Sequence, residues 1–257
     1  MAKELTQRGY QVFATARRSD DVEKLRQQNI TSLQLDLDDP ESISHAVDGV
    51  LEKTGGRLYA LFNNGGYGQL GALEDVSRDV LRAQFETNLF GYHDLTKQII
   101  PIMRRQGYGR IIQNSSLLGF VALPYRGPYN ASKFALEGWS DTLRMELQGS
   151  GIHVSIIEPG PILTRFRANA YAMFKKNIDA QHNHHRTTYE SLQRKLSTEG
   201  AVVPFTLGPD AVLKKVIHAL ESRHPKSRYG VTFPTYLFAY LKRLLPTRAL
   251  DAVLRRV

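Results

Sequence analysis

From Tyr10 to Pro161, short apolar runs alternate with helical stretches, and that alternation leaves few folds open. Tyr10 to Ala16 is β-rich and apolar, Asp20 to Gln28 reads as a polar helix, and Ile30 to Leu37 alternates into a strand that finishes at Asp36. Asp39-Pro40-Glu41 opens a helix running to about Lys53, because proline's fixed φ suits a first helical turn. Leu58 to Phe62 is a third strand, and a long helical stretch from about Ser77 to Arg105 ends at Gly107. The strand Arg110 to Gln113, a helix from Tyr129 through Leu147 and the strand His153 to Ile157 complete the series, which stops at Glu158-Pro159-Gly160-Pro161. Strands separated by helices pair in parallel through right-handed crossovers. The expected class is therefore α/β, a Rossmann-like doubly wound parallel sheet in a single domain.

At 257 residues the chain can bury one sizeable core, and no Pro/Ser/Gly-rich linker divides it. The absence of cysteine excludes disulfides, catalytic thiols and thiolate zinc sites, and suits a reducing compartment, so the cytoplasm is the expected location. No apolar run approaches the roughly 18 residues needed to cross a bilayer. Met1-Ala2-Lys3-Glu4 is too polar to open a signal peptide. A formal charge of +9 and a pI near 9.7 favour polyanions. The basic residues are dispersed, however, and no aromatic-basic recognition motif accompanies them, so nucleic acid is not an expected partner.

The chemistry concentrates between Ser115 and Lys133. Tyr129 and Lys133 are four apart, so on a helix they share one face. An ammonium roughly 4 Å from a phenol, at an effective dielectric near 20, is worth about 4 kcal/mol. It would lower the phenol's pKa by up to about three units from its usual value of about 10 and make Tyr129 a general acid. The plainer alternative is a surface tyrosine–lysine pair. Ser116 follows an apolar strand whose carboxyl end, in an open α/β sheet, delivers side chains into the binding crevice.

Ser116 stands thirteen residues before Tyr129, Asn63-Asn64-Gly65-Gly66 follows a strand, and Thr87-Asn88 lies in the next helical stretch. Together these resemble the short-chain dehydrogenase/reductase family in its form of about 250 residues. The resemblance covers roughly Ala2 to Phe166. It implies hydride transfer between a nicotinamide and a carbonyl carbon, with Tyr129 giving a proton to the oxygen and Ser116 orienting it. Lys133 would lower the phenol's pKa and hold the nicotinamide ribose, and Asn88 would hold a water of the proton relay. At the second strand's end Ala16 replaces the family's acidic residue and Arg17-Arg18 follow, which implies NADP(H), since a guanidinium grips a 2′-phosphate. Two solvated arginines are the alternative. Asp36 and Leu37 would flank the adenine, although Asp36 also suits a turn. Asn63 and Gly65 would line the ribose, and Pro159, Gly160 and Thr164 would border the nicotinamide. No metal is required, and His182, His184 and His185 read as solvated.

Gly66-Tyr67-Gly68-Gln69-Leu70-Gly71 matches G-x-G-x-x-G but is followed by no helix start, second strand and acidic residue in the required order, so it reads as a loop on the nicotinamide side. The family's phosphate-binding glycines precede a helix inside which this chain starts. The expectation is that the first strand is missing, that Met1 is not the functional start, and that a strand and a T-G-x-x-x-G-x-G-like loop lie upstream.

Residues 165–205 lie where the family carries a substrate lid, and Tyr171, Met173 and Phe174 suit either a pocket wall or lid packing. The amphipathic segment 233–257 mixes Tyr236, Leu237, Phe238, Tyr240, Leu241, Leu244 and Leu245 with Lys242, Arg243, Arg248, Arg255 and Arg256. Pocket closure ranks first for it, peripheral contact with an anionic membrane second, and a dimer contact is the third reading. The substrate expected is a lipophilic aldehyde, ketone or steroid-like compound, or the matching alcohol, and the protein partner a second copy in a homodimer or homotetramer. Competing readings are a non-catalytic scaffold of the same fold and a nucleotide-sugar epimerase, which would lack the N-N-G-G and lid arrangement.

Overall fold

The structure, a computed structural model, describes residues 1–256. Its strands are short and pair in parallel: β1 (Ala14–Ala16) with β2 (Ser32–Gln34), and β3 (Ala60–Asn63), β4 (Gly109–Asn114), β5 (Ile152–Glu158) and β6 (Arg228–Gly230) in that order across a second ladder. The α/β class stands. The strands form two parallel ladders, with no backbone hydrogen bond among the described residues joining β1 to β3.

Helices α1 (Ala2–Gln7) and α2 (Ser19–Arg26) come before and after β1 in the chain, and local chemistry sets the helices that follow. In α3 (Pro40–Thr54), Asp39 Oδ1 accepts the Glu41 N–H at 3.0 Å and Pro40 fills the first turn, while Gly55 ends the helix at φ +61°. The predicted helix over Ser77–Arg105 is instead α4 (Arg78–Phe85), a π-helical segment at Glu86–Phe90 and α5 (Gly91–Gln106). Gly107 closes α5 at φ +77°. Next come α6 (Gly127–Glu146) and α9 (Pro209–Glu221), the latter not anticipated. One face of the sheet buries Ile111 and Val154 against Ile43 and Val47 of α3 and Leu95, Ile99 and Met103 of α5. The other buries Ile112 and Ile157 against Val216, Ala219 and Leu220 of α9. Alternate residues of a strand feed opposite faces, which is why Ile111-Ile112 and Ile156-Ile157 are buried in succession.

The segment 165–205 holds two helices, α7 (Phe166–Asn177) and α8 (Arg186–Ser197). Few of their side chains are buried, Ala170 and Phe174 on α7 and Tyr189 on α8, so little periodicity marked them. His185 corrects the solvated reading. Half-buried, it sits 3.3 Å from Tyr125 Oη through Nδ1 and pairs through Nε2 with Glu74, tying α8 to the loops beneath. The chain closes with α10 (Phe233–Leu244) and α11 (Thr247–Leu254), whose Phe238 and Leu254 pack on Leu117, Leu118 and Tyr129. Among the described residues no helix is long and apolar enough to cross a membrane.

Candidate active site

The register brings Asn63, Asn114 and Glu158 to one end of the sheet. Chain leaving β4 stays paired with chain leaving β5: the Ser115 N–H donates to Ile157 O and the Leu117 N–H to Pro159 O, both at 2.8 Å. Ser116 is thereby fixed between two strand ends. Its Oγ accepts the Leu118 N–H at 3.1 Å and lies 3.5 Å from Pro159 O.

Helix α6 starts with Gly127-Pro128 and turns Tyr129, Ser132 and Lys133 inward, all buried. Tyr129 packs against Phe166 with ring centroids 5.3 Å apart. Gly68 backs the same ring, and a Cβ there would lie 2.8 Å from Phe166 and 3.5 Å from Tyr129, so the Gly66–Gly71 segment packs as a loop against this side of Tyr129. Lys133 Nζ donates to the Asn114 carbonyl at 2.7 Å and lies 5.6 and 5.8 Å from the Tyr92 and Tyr129 ring centroids.

The electrostatics depart from expectation at Tyr129. Burial pushes its phenol up to about 12, with only a hydrogen bond from Ser116 pulling it down. The expected depression by Lys133 is absent because that ammonium is turned toward Asn114 O, and because the removal of both groups from water disfavours charge on each. Burial likewise draws Lys133 down to about 8, against an opposing pull from Glu137. The phenol thus holds its proton at neutral pH, the state a general acid needs.

Asn88 is fully buried in the π-helical segment, a feature that often marks functional sites. Its Oδ1 accepts the Tyr67 N–H at 3.2 Å, and its Nδ2 donates to Tyr67 O at 3.0 Å and Ser132 Oγ at 3.1 Å. Ser132 donates to Tyr129 O, so Asn88 and Tyr129 are linked through one hydroxyl. Gln84, which sequence reading passed over, donates to the same Tyr67 carbonyl at 2.9 Å. Its signal was its spacing of four from Asn88 on a helical run.

The remaining predicted residues are spread along the crevice. Arg17 is exposed just beyond β1 and shares its surroundings with Tyr67 and Asp38, whereas Arg18 is paired with Asp20 at 3.2 Å. Asp36 closes a turn by accepting the Asp38 N–H at 3.1 Å. Leu37 packs on Gly65 and Gly91; a Cβ on Gly91 would lie 2.2 Å from Leu37 O. Asn63 points beneath the sheet, donating to Thr96 Oγ1 at 3.0 Å. Gly160 lies against Thr232, and Thr164 is exposed, accepting the Phe166 N–H. A concavity of about 500 Å³ lies elsewhere, at Gly149, Gly151 and Ile152.

A family model described as short chain dehydrogenase matches residues 1–174. The chain belongs to the short-chain dehydrogenase family. It is 44% identical over 254 residues to an uncharacterized oxidoreductase, YbbO, of Escherichia coli, covering 99% of this chain and 88% of the relative. Human retinol dehydrogenase 8 is 31% identical over 231 residues, covering 85% and 71%. A short-chain dehydrogenase from Streptomyces avermitilis superimposes with a TM-score of 0.75 at 27% identity, over 96% of this chain and 88% of that one. Two more distant structures share the fold: a serine dehydrogenase complexed with NADP+ (TM-score 0.73, 22% identity, 90% and 88% covered) and a Burkholderia phymatum short-chain dehydrogenase/reductase in complex with NAD (0.71, 21%, 90% and 85%). As a short-chain dehydrogenase the chain is an oxidoreductase of a family whose structures hold NADP or NAD.

Proposed function

We propose that this short-chain dehydrogenase is an NADP-dependent reductase that interconverts a lipophilic aldehyde or ketone and its alcohol. The observation that carries the reading is the convergence of Ser116, Tyr129 and Lys133, with Ser116 hydrogen-bonded to the phenol, Lys133 near its ring and the phenol held protonated against Phe166. The residues present fit a nicotinamide dinucleotide. One end of the crevice offers the exposed Arg17 and bare backbone at Gly65 and Gly66, where a Cβ would lie 2.9 Å from Leu37 or Asn88; the other offers an ammonium and a phenol. When bound, the nicotinamide supplies or accepts the hydride.

Tyr129 gives its proton to the carbonyl oxygen, Ser116 orients that oxygen, Lys133 holds the ribose beside the phenol, and Asn88 supports the relay through Ser132. Arg17 meets the 2′-phosphate with Arg18 secondary, Asn63, Gly65, Asp36 and Leu37 border the adenosine side, and Pro159, Gly160 and Thr164 the nicotinamide. Helices α7 and α8 act as the lid. Exposed Leu163, Phe166, Phe205 and Phe233 are apolar near the crevice, and Phe205 and Phe233 lie with ring centroids 4.9 Å apart; the retinol in one relative's name supports the lipophilic class. The protein acts in the cytoplasm as a homo-oligomer, with the exposed face of α10 available to a membrane surface.

A non-catalytic scaffold remains the second reading because the ladder is broken between β1 and β3, on the cofactor side. NADPH oxidation against aldehydes and ketones graded by chain length decides between them. Turnover rising with chain length supports the reductase; NADPH binding with no turnover on any member of the panel supports the scaffold.

A further inference from the structure

Helix α6 carries four titratable groups at successive spacings of four: Tyr129, Lys133, Glu137 and Asp141. That spacing stacks them along one face. The first two belong to the candidate site, and the reading below rests on that assignment. The third has no part in it so far. Glu137 is 7% exposed, and a carboxylate is buried to that degree only with partners.

Its partners come from three directions. Arg228 on β6 donates to Glu137 Oε2 through Nε at 3.3 Å and Nη2 at 3.1 Å, and also reaches Asp141 Oδ2 at 2.6 Å and Glu158 Oε1 on β5 at 3.2 Å. Asp141 is held besides by Arg144 at 3.1 Å. Three carboxylates therefore share one guanidinium, and burial together with the neighbouring Glu137 pushes Glu158 up to about 7. Arg228 engages only one oxygen of Glu137. The other, Oε1, is buried and has no partner with full hydrogen-bond geometry, as is Ser115 Oγ. Both border the space that a Gly119 side chain would fill, 3.0 and 2.6 Å from an added Cβ. Burial, the largest influence, raises the Glu137 carboxyl, while the Ser115 hydroxyl and the Arg228 guanidinium beside it pull the other way.

One turn back along α6 lies Lys133, buried against the Tyr92 and Tyr129 rings, its ammonium bonded to one carbonyl, that of Asn114. Tyr92 carries a phenol that burial keeps neutral. Of the groups around Lys133, Glu137 is the one whose charge favours the ammonium. We propose that Glu137 is a positioning residue for catalysis: clamped by Arg228 one turn beyond Lys133, it holds the lysine in its charged form beside the phenol. Burial works against it, drawing Lys133 toward about 8, so without Glu137 the amine loses its proton nearer neutrality.

The test uses the full chain. A double-mutant cycle on urea unfolding compares Lys133→Met, Glu137→Gln and the double variant, without cofactor. The expected result is that the double variant is less destabilised than the sum of the singles; simple additivity overturns the proposal. The second readout is the pH profile of kcat for carbonyl reduction. Removing a negative charge releases the lysine's proton earlier, so Glu137→Gln moves the alkaline limb down by about one pH unit or more, and Glu137→Asp by less. Glu137→Asp also keeps the test open if the glutamine variant does not fold. Turnover lowered equally at every pH with the limb unmoved means a structural role and overturns the proposal. Should the wild type reduce no carbonyl, the reductase reading fails while the unfolding cycle still decides the role of Glu137.

Discussion

Asn88→Ala tests whether the loop behind Tyr129 is held as the structure describes. The substitution removes three hydrogen bonds, but they are not equal. The Tyr67 carbonyl keeps Gln84 as donor at 2.9 Å, and Ser132 still donates to Tyr129 O. The Tyr67 N–H alone is left without its acceptor, at about 1–3 kcal/mol. Adding the void left at a fully buried position brings the loss to about 2–4 kcal/mol, below a typical stability of about 5–15 kcal/mol, so the variant folds. Turnover suffers more than stability, because Tyr67 leads into Gly68, which backs the phenol ring. Urea unfolding followed by the single tryptophan, Trp139, reads the first effect, and NADPH oxidation the second. Because Gln84 and Asn88 converge on one carbonyl, Gln84→Met combined with Asn88→Ala is expected to be non-additive. A variant within about 0.5 kcal/mol of wild type and with full turnover would refute the reasoning, since changes of that size are those of an unconstrained surface site.

Tyr129→Phe keeps the packing on Phe166 and lowers turnover by about 10²–10⁴-fold with cofactor affinity nearly intact; retention of more than about a tenth of wild-type turnover means another group is the acid. Replacing Arg17 with a neutral residue weakens NADPH more than NADH, whereas the same change at Arg18 does less, because Arg18 is already paired with Asp20; equal weakening of both nucleotides in a titration places the phosphate elsewhere. Gly151→Ala destabilises by more than about 1 kcal/mol in urea unfolding, since Gly151 sits at φ +77° and the new Cβ would lie 2.0 Å from Gly107 O; an unchanged midpoint would show that the two loops do not meet.

Much of this molecule is written locally. Asp39-Pro40 and Gly107 mark helix ends through cap and φ preferences that act within a few residues, and the apolar runs at β3, β4 and β5 announce buried parallel strands whatever surrounds them. The spacing of Tyr129 and Lys133 put both on one helical face for the same reason. What those residues do electrically was not local. The phenol rises instead of falling because tertiary packing excludes water from it and gives the lysine a carbonyl, Asn114 O, from a different element. Nor did the sequence reveal that His185 would bind a residue more than a hundred positions away. The four-residue ladder on α6 was legible as spacing, but its terminus at Arg228 was not, because only the pairing of β5 with β6 carries that guanidinium to Glu137, Asp141 and Glu158. Periodicity reports which face of an element is buried; the register between distant strands decides what that face meets there.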